Sequence, residues 1–297
     1  MWRRVLAVAV LVGVCLGVVW YIRDVSRGLV EADGIVLAEL PKVLAGRRVV
    51  MVGEAHALVE PVEFVKFLVS QVGEEVGFTH FCVEWSVSNQ EDIDRYMAGD
   101  DAVLEALGVR LTGLPGITAE ALSVFTFVRE HNRRYPESAV IVRCMDVKHP
   151  VHSTAEEGRD RHMFEHVRAI LEESPRNRVL VHMGAAHAVK CGSLGEPNAG
   201  GGREYLATLG NLLVNAYGGE VYSVKVLWDG DPVWSALRKR LRREEPVAFR
   251  LGEKSGDARA MFWVYSWWRS DRAGRTRADE VFDFVVWYPT CRPGTRL

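Results

Sequence analysis

The chain has 297 residues, of which 48% are hydrophobic and 26% are charged, and its formal net charge at pH 7 is -2. This length and composition are those of an ordinary globular protein that can bury a sizeable core. A charge this close to zero argues against a protein that binds nucleic acid, and the sequence contains no zinc-finger, leucine-zipper or RNA-binding motif. We therefore expect no nucleic-acid partner.

The N-terminus contains an uncharged, apolar run at residues 5–22, which two arginines precede. Its length is near the lower limit for a transmembrane helix and exceeds the apolar part of most cleaved signal peptides. No Ala-x-Ala cleavage site follows it, and Trp20 and Tyr21 lie where interfacial aromatic residues are expected. Residues 1–23 are therefore predicted to be a retained signal-anchor, with the domain outside the cytoplasm.

The cysteines do not identify the redox compartment. Cys82 and Cys144 fall in apolar, strand-like runs and are predicted to be buried thiols. Cys191 and Cys291 could pair in an oxidising compartment, but sequence alone does not bring them within bonding distance.

Residues 24–46 form a mixed lead-in of helical character, and residues 47–297 are predicted to be one α/β domain. Apolar runs rich in β-branched residues alternate with amphipathic stretches, which predicts a mainly parallel sheet with helices on both faces. The predicted strands are 48–52, 79–84, 140–145, 178–182, 221–226 and 281–288, and the predicted helices are 61–72, 118–135, 157–173 and 203–217.

Two further segments have a distinctive composition. Residues 192–203 include five glycines and a proline, which predicts a flexible loop, either a lid over the site or a solvated surface loop. Residues 238–243 include five basic side chains. We interpret this run as a solvated helix face, with a contact to anionic lipid or polysaccharide as the alternative.

Acidic and imidazole side chains follow the predicted strands at the points where the strands end. Glu54 and His56 follow the first strand, Glu84 ends the second, Asp146 follows the third and His187 lies just beyond the fourth. Taken singly, each has a structural explanation, such as a helix cap or a turn. Because parallel strands end at one edge of a sheet, where ligands bind, we expect these five side chains to converge on one site.

These residue types suit the activation of water. An imidazole can take a proton from water near neutral pH, and general-base catalysis contributes about 10²–10⁴-fold in rate. A carboxylate would orient the ring, and a second imidazole would stabilise an oxyanion or protonate a leaving group. The sequence contains no Gly-x-Ser-x-Gly motif, so a serine nucleophile is unsupported. We interpret His182, at the end of an apolar strand, as a core histidine.

The same side chains also suit a divalent metal. Histidine and carboxylate ligands are acceptable for zinc, manganese or iron. The spacing is scattered, unlike His-Glu-x-x-His, so the sequence leaves open whether the site holds a divalent metal or no cofactor. The candidate ligands are Glu54, His56, Glu84 and His187.

The sequence resembles the erythromycin esterase family, within a superfamily that also contains ChaN-type haem-binding proteins and Tiki-type proteases. Short blocks occur in the family's order, and together they cover residues 48–290. They are the Gly-Glu-Ala-His turn at 53–56, Gly-Phe at 77–78 before the Glu84 strand, 93–96, the Arg-Asp-x-x-Met helix start at 159–163, the histidine loop at 184–187, 209–210, 217–222 and 283–286.

The resemblance implies hydrolysis of an ester or lactone in a small-molecule substrate, with His56 as the base that activates water. Glu54 and Glu84 would be its acidic partners, and His187 would be the second histidine.

The resemblance also implies that Arg159 and Asp160 lie near the site; the alternative is an exposed charge pair on a helix. The chain departs from the family at Gly184, where the esterases have an extra histidine three residues before the one resembling His187, and at Ala57, where a glycine is expected. These departures argue against a macrolide substrate. The alternatives to the hydrolase are a ChaN-like protein that binds haem or another apolar ligand, and a Tiki-like metalloprotease.

Overall fold

The structure, a computed structural model, describes residues 34–71, 77–112, 117–147, 158–191, 193–197, 203–252, 268–269 and 277–295. The predicted signal-anchor at 1–23 lies outside the described residues. Within the ranges that are described, no helix combines the length and the apolar character needed to cross a membrane.

The described residues form a mixed α/β fold. The strands are β1 (Gly34–Val36), β2 (Val49–Glu54), β3 (His80–Ser86), β4 (Ile141–Asp146), β5 (Val179–Gly184), β6 (Ser193–Pro197), β7 (Arg203–Ala207), β8 (Val221–Val226), β9 (Val247–Arg250), β10 (Trp268–Arg269) and β11 (Phe284–Trp287). The helices are α1 (Leu40–Leu44), α2 (Val59–Ser70), α3 (Gln90–Ala98), α4 (Asp101–Leu111), α5 (Ala119–Arg134), α6 (Arg159–Glu173), α7 (Leu209–Tyr217), α8 (Pro232–Leu241) and α9 (Ala278–Val281).

An eight-stranded sheet forms the centre of the described part of the chain, in the order β1-β9-β11-β8-β2-β5-β3-β4. Strand β9 runs antiparallel to both of its neighbours, β1 and β11, so β1 runs in the same direction as the central strands. The remaining neighbouring pairs are parallel. The predicted α/β class with a mainly parallel sheet is therefore confirmed. Strands β6, β7 and β10 form a separate antiparallel sheet.

Helices cover both faces of the central sheet. Consecutive side chains of a strand point to opposite faces, so adjacent residues of β2 belong to different cores. On one face Met51 belongs to a core that includes Val167 of α6 and Leu213 of α7. On the other face Val52 belongs to a core that includes Phe64 of α2 and helix α5. Burial on both faces explains why the central strands appear in the sequence as uninterrupted apolar runs.

Most of the predicted elements match the structure. The predicted strand at 221–226 coincides with β8, and the four strands before it are correct to within two residues at each end. The predicted helices at 61–72, 118–135 and 157–173 correspond to α2, α5 and α6.

Other predicted elements were wrong. Residues 203–217 were predicted as one helix, but the first five form β7 and only α7 is helical. Residues 192–203 were predicted as a loop, but β6 begins at Ser193 and pairs with β7 as an antiparallel hairpin. Pairing between the two segments overrode the local helical spacing. Residues 198–202, which include three of the five glycines, lie outside the described residues, and the lid over the site stays a prediction.

The last predicted strand was too long, because α9 ends at Val281 and β11 begins at Phe284. The cysteines follow the prediction where it was definite: Cys82 and Cys144 are buried, and burial raises the pKa of each thiol to about 12. No disulfide joins Cys191 and Cys291, both of which lie in the described part of the chain.

Candidate active site

Four neighbouring strands, β2, β5, β3 and β4, end at the same edge of the sheet and carry the candidate site. Helix α6 begins beside them and contributes its first two residues. In this way the structure brings together the seven residues that the sequence singled out. They are Glu54, His56, Glu84, Asp146, Arg159, Asp160 and His187.

His56 lies in the turn after β2, where Glu54 orients its ring. Nδ1 of His56 is 3.2 Å from Oε1 of Glu54. The histidine side chain is 45% exposed, whereas the glutamate side chain is 10% exposed. Partial burial lowers the pKa of His56, but the hydrogen bond to Glu54 and the charge of Glu84 outweigh it and raise this pKa above its usual value. With Nδ1–H donating to the carboxylate, Nε2 is the atom that can accept a proton.

The turn beside His56 has an unfavourable backbone conformation. Ala57 has a φ of 65°, and this left-handed region costs an L-residue about 1–2 kcal/mol. The family's glycine is expected at this position because glycine adopts such a φ without that cost. The C-terminal segment supports the turn, since the N–H of Gly294 donates to the carbonyl of Ala57 at 2.7 Å and the N–H of Val59 donates to the carbonyl of Arg292 at 3.0 Å.

Gly184 makes room for the imidazole of His56. A Cβ atom at Gly184 would lie 3.0 Å from Nε2 of His56 and 3.5 Å from Oε2 of Glu84. The proton-accepting nitrogen and the second glutamate therefore approach the same point above the end of β5. Any side chain at this position would require the ring of His56 to move.

Arg159 links the acidic residues of the buried side of the site. Its Nε and Nη2 atoms donate to the two oxygens of Asp146 at 2.8 and 2.6 Å, and Nη2 also donates to Oε1 of Glu84. The other oxygen of Glu84 accepts the N–H of Gly184 at 2.6 Å. Burial opposes ionisation, but His187 and Arg159 hold the pKa of Glu84 at about 2. Glu84 is thus a buried, ionised and well-paired carboxylate.

His187 is buried and fixed by Asp160. Its Nδ1 lies 2.8 and 2.9 Å from the two oxygens of Asp160, and one of these oxygens also accepts the N–H of Leu209, at the start of α7, at 2.6 Å. Nε2 of His187 is 3.4 Å from Oε1 of Glu84. Although burial lowers the pKa of His187, Asp160 and Glu84 raise it to about 9. The two carboxylates therefore favour the protonated form of His187, whereas Nη1 of Arg159, 3.2 Å from Nε2 of His187, opposes it.

The backbone of β3 is irregular where Glu84 lies. Val83 is paired with Cys144 and Ser86 with Asp146, so the β3 side of the ladder has one extra residue between the two pairs. Such bulges redirect side chains and are frequent beside active sites. The sequence gives no signal for this bulge.

His182, interpreted from the sequence as a core histidine, is largely buried and contacts a site residue. Nε2 of His182 lies 3.0 Å from Oε2 of Glu54, so that Glu54 lies between two histidines. Burial raises the pKa of Glu54, but His182 and then His56 lower it to about 2. A signal was present: His182 and Gly184 are two residues apart in one strand and therefore face the same side.

The candidate metal ligands do not form a metal cluster among the residues that the structure describes, where no group of three or more His, Cys, Asp or Glu side chains has suitable geometry. Each candidate is engaged otherwise: Glu54 with two histidines, Glu84 with Arg159 and His187 with Asp160.

No protein-family model matches the sequence, and no curated protein matches it. Solved structures do match. A mutant of the erythromycin esterase EreC in its open conformation has 11% identity and a TM-score of 0.62, over 86% of this chain and 94% of the other. A succinoglycan biosynthesis protein has 12% identity and a TM-score of 0.67, over 92% and 98%. A Bacillus cereus protein has 13% identity and a TM-score of 0.57, over 93% and 99%. At these identities the likeness is one of fold, and the chain has the fold of the erythromycin esterases.

Proposed function

We propose that the chain is a hydrolase that cleaves an ester, lactone or related acyl bond of a small-molecule substrate, with His56 as the general base. The observation that carries the proposal is the pairing of an exposed imidazole with a buried carboxylate, 3.2 Å apart, beside a buried cluster of charges. The fold of an erythromycin esterase supports the same class of reaction.

In the proposed reaction Nε2 of His56 takes a proton from water while the water oxygen bonds to the acyl carbon. The bond from the acyl carbon to the leaving oxygen then breaks, and the proton held by His56 passes to the alkoxide. An ester gives an acid and an alcohol, and a lactone gives a hydroxy acid. Glu54 orients the base throughout.

The buried cluster would supply electrostatic stabilisation. Arg159 is positively charged, and the raised pKa of His187 favours its imidazolium form at neutral pH. Fixed positive charges near a developing oxyanion lower the barrier because they need no reorganisation during the reaction. Glu84 and Asp146 hold Arg159, and Asp160 holds His187.

We also propose that residues 1–23 anchor the protein to a membrane, with the domain on the extracytoplasmic side. The support is the apolar run at 5–22 and its flanking aromatic residues.

Ester hydrolysis by the full chain, purified in detergent, tests the proposed reaction. We expect turnover of members of a panel of 4-nitrophenyl esters and lactones. His56→Ala and Glu84→Gln should each lower kcat/KM about 10²-fold or more. His80→Gln is the matched control, because this histidine begins β3 at the opposite edge of the sheet. Equal hydrolysis by His56→Ala and the unmodified chain would show that His56 is not the base.

Two further assays, haem binding and metal-dependent peptide cleavage, distinguish the hydrolase from the other two candidate functions. A Soret band after addition of haem, retained in His56→Ala, together with no turnover of any ester, would favour a ChaN-like binding protein. Peptide cleavage that a chelator abolishes and manganese or zinc restores would favour a Tiki-like metalloprotease.

A further inference from the structure

Two histidines face each other on α6, outside the candidate active site. His162 and His166 are four residues apart, so both lie on the same face of the helix. Their Nε2 atoms are 3.1 Å apart, and both side chains are partly buried. The ring centroids are 4.6 Å apart, with 62° between the ring planes.

The separation of the two nitrogens matches that of two ligands on one metal ion. Imidazole nitrogen binds zinc at about 2.0–2.1 Å, so two such ligands lie about 3.3 Å apart at a tetrahedral angle and about 2.9 Å apart at a right angle. The observed 3.1 Å falls between these values. A hydrogen bond between the two rings fits the same distance, and it is the structural alternative that an experiment must exclude.

A metal ion binds imidazole only through a neutral ring, so binding at this pair should weaken at acid pH.

We propose that His162 and His166 form a chelating site for a late first-row divalent cation of the Cu²⁺, Ni²⁺ or Zn²⁺ class. Imidazole suits these ions, and Cu²⁺ binds most tightly of the three. No further metal-ligating side chain clusters with the pair among the described residues. Water completes the coordination.

The site links metal binding to the first turns of α6. A cation held by residues 162 and 166 bridges two side chains that are one helical turn apart. The same helix begins with Arg159 and Asp160. Because the ion binds the folded helix and bridges side chains that separate on unfolding, binding stabilises the folded state. The metal site does not depend on the proposed hydrolase.

A copper titration of the metal-free full chain tests the site. We expect one tightly held Cu²⁺ per chain, with nitrogen ligands in its electron paramagnetic resonance spectrum, and a rise in Tm on binding. His162→Gln and His166→Gln should each weaken this affinity at least about tenfold and remove the rise in Tm. His80→Gln is the control on the same background, and His56→Ala shows whether the ion instead binds in the candidate active site.

Chemical modification of the histidines tests copper binding without the use of variants. Diethyl pyrocarbonate modifies accessible imidazoles, and bound Cu²⁺ should protect the peptide that contains His162 and His166 but not the peptide that contains His56. Copper that both glutamine variants bind with unchanged affinity, or a Kd weaker than about 1 mM, would overturn the proposal. Unchanged modification of the two histidines in the presence of copper would overturn it as well.

Discussion

The two histidines of the candidate active site are held in opposite ways. His56 lies in a turn, contacts Glu54 and has a side chain that is 45% exposed. His187 is 8% exposed and is fixed by both oxygens of Asp160 beside Arg159. One histidine meets solvent with a nitrogen available for a proton, and the other is buried beside carboxylates that favour its protonated form.

This difference indicates that the two sides of the site have different roles. The buried side, centred on Arg159, is a preorganised set of charges whose partners depend on each other. On the other side of the site, the ring of His56 is 45% exposed and can exchange protons with water. Substitutions on the buried side should therefore change stability as well as activity, whereas substitutions that disturb only the ring of His56 should change activity.

The largest effect is expected for Arg159→Met. Removing the cation leaves Glu84 and Asp146 buried without their main partner, which costs about 3–5 kcal/mol of unfolding free energy. Arg161→Met is the matched control on the same helix, because this side chain is 51% exposed and lies 4.0 Å from Glu165; it should change stability by less than about 0.5 kcal/mol. Urea denaturation measures both. Similar losses for the two variants would mean that the buried cluster contributes little to stability.

The pH dependence of kcat/KM should separate the two histidines. His56 acts only when deprotonated, so activity should rise with pH through a pKa above 6.5. His187 contributes only when protonated, so activity should fall around pH 9, by about tenfold per unit beyond that limb. Asp160→Asn removes the main charge that raises the pKa of His187 and should move only the alkaline limb, to lower pH. An alkaline limb that Asp160→Asn leaves in place would assign it to another group.

A smaller effect is expected for Gly184→Ala. The added Cβ would lie 3.0 Å from Nε2 of His56, so the exposed ring must move by a few tenths of an ångström. Such a displacement should lower kcat about tenfold and leave the urea midpoint nearly unchanged. A large loss of stability would show that the ring is held as rigidly as His187.

The smallest effect is expected for Ala57→Gly, which should stabilise the protein. Relief of the left-handed φ of 65° outweighs the extra freedom of glycine in the unfolded chain by about 0.5–1 kcal/mol. Ala55→Gly is the control, because its φ is not positive, and it should be destabilising by about 0.5–1 kcal/mol. A rise in the urea midpoint for both variants would contradict the strain argument.

The meeting of five of the site residues could be predicted from one rule, that parallel strands end at a common edge, whereas Arg159 and Asp160 were expected there only from the family resemblance. The order of the strands in the sheet could not be predicted. Strand β5 lies between β2 and β3, and this order brings His182 against Glu54. The sequence does not fix which strands are neighbours, so the two-residue spacing of His182 and Gly184 could not by itself place His182 against Glu54.

The peripheral strands were also beyond prediction. Strands β1 and β9 have three and four residues, too few to show a period of two. The hairpin of β6 and β7 depends on pairing between segments, which a local helical spacing at 203–217 concealed. Local patterns thus predicted the buried centre of the fold and missed the elements that depend on partners elsewhere in the chain.

The position of β1 bears on how a tethered protein would meet its substrate. Through the register of β9, β11 and β8, Gly34 lies level with Gly53, at the end of the sheet that carries the candidate site. With residues 1–23 embedded in a bilayer, as proposed, the described domain would therefore begin at the same end of the sheet as His56. Such an arrangement would keep the candidate site close to the membrane surface and favour substrates that partition into it.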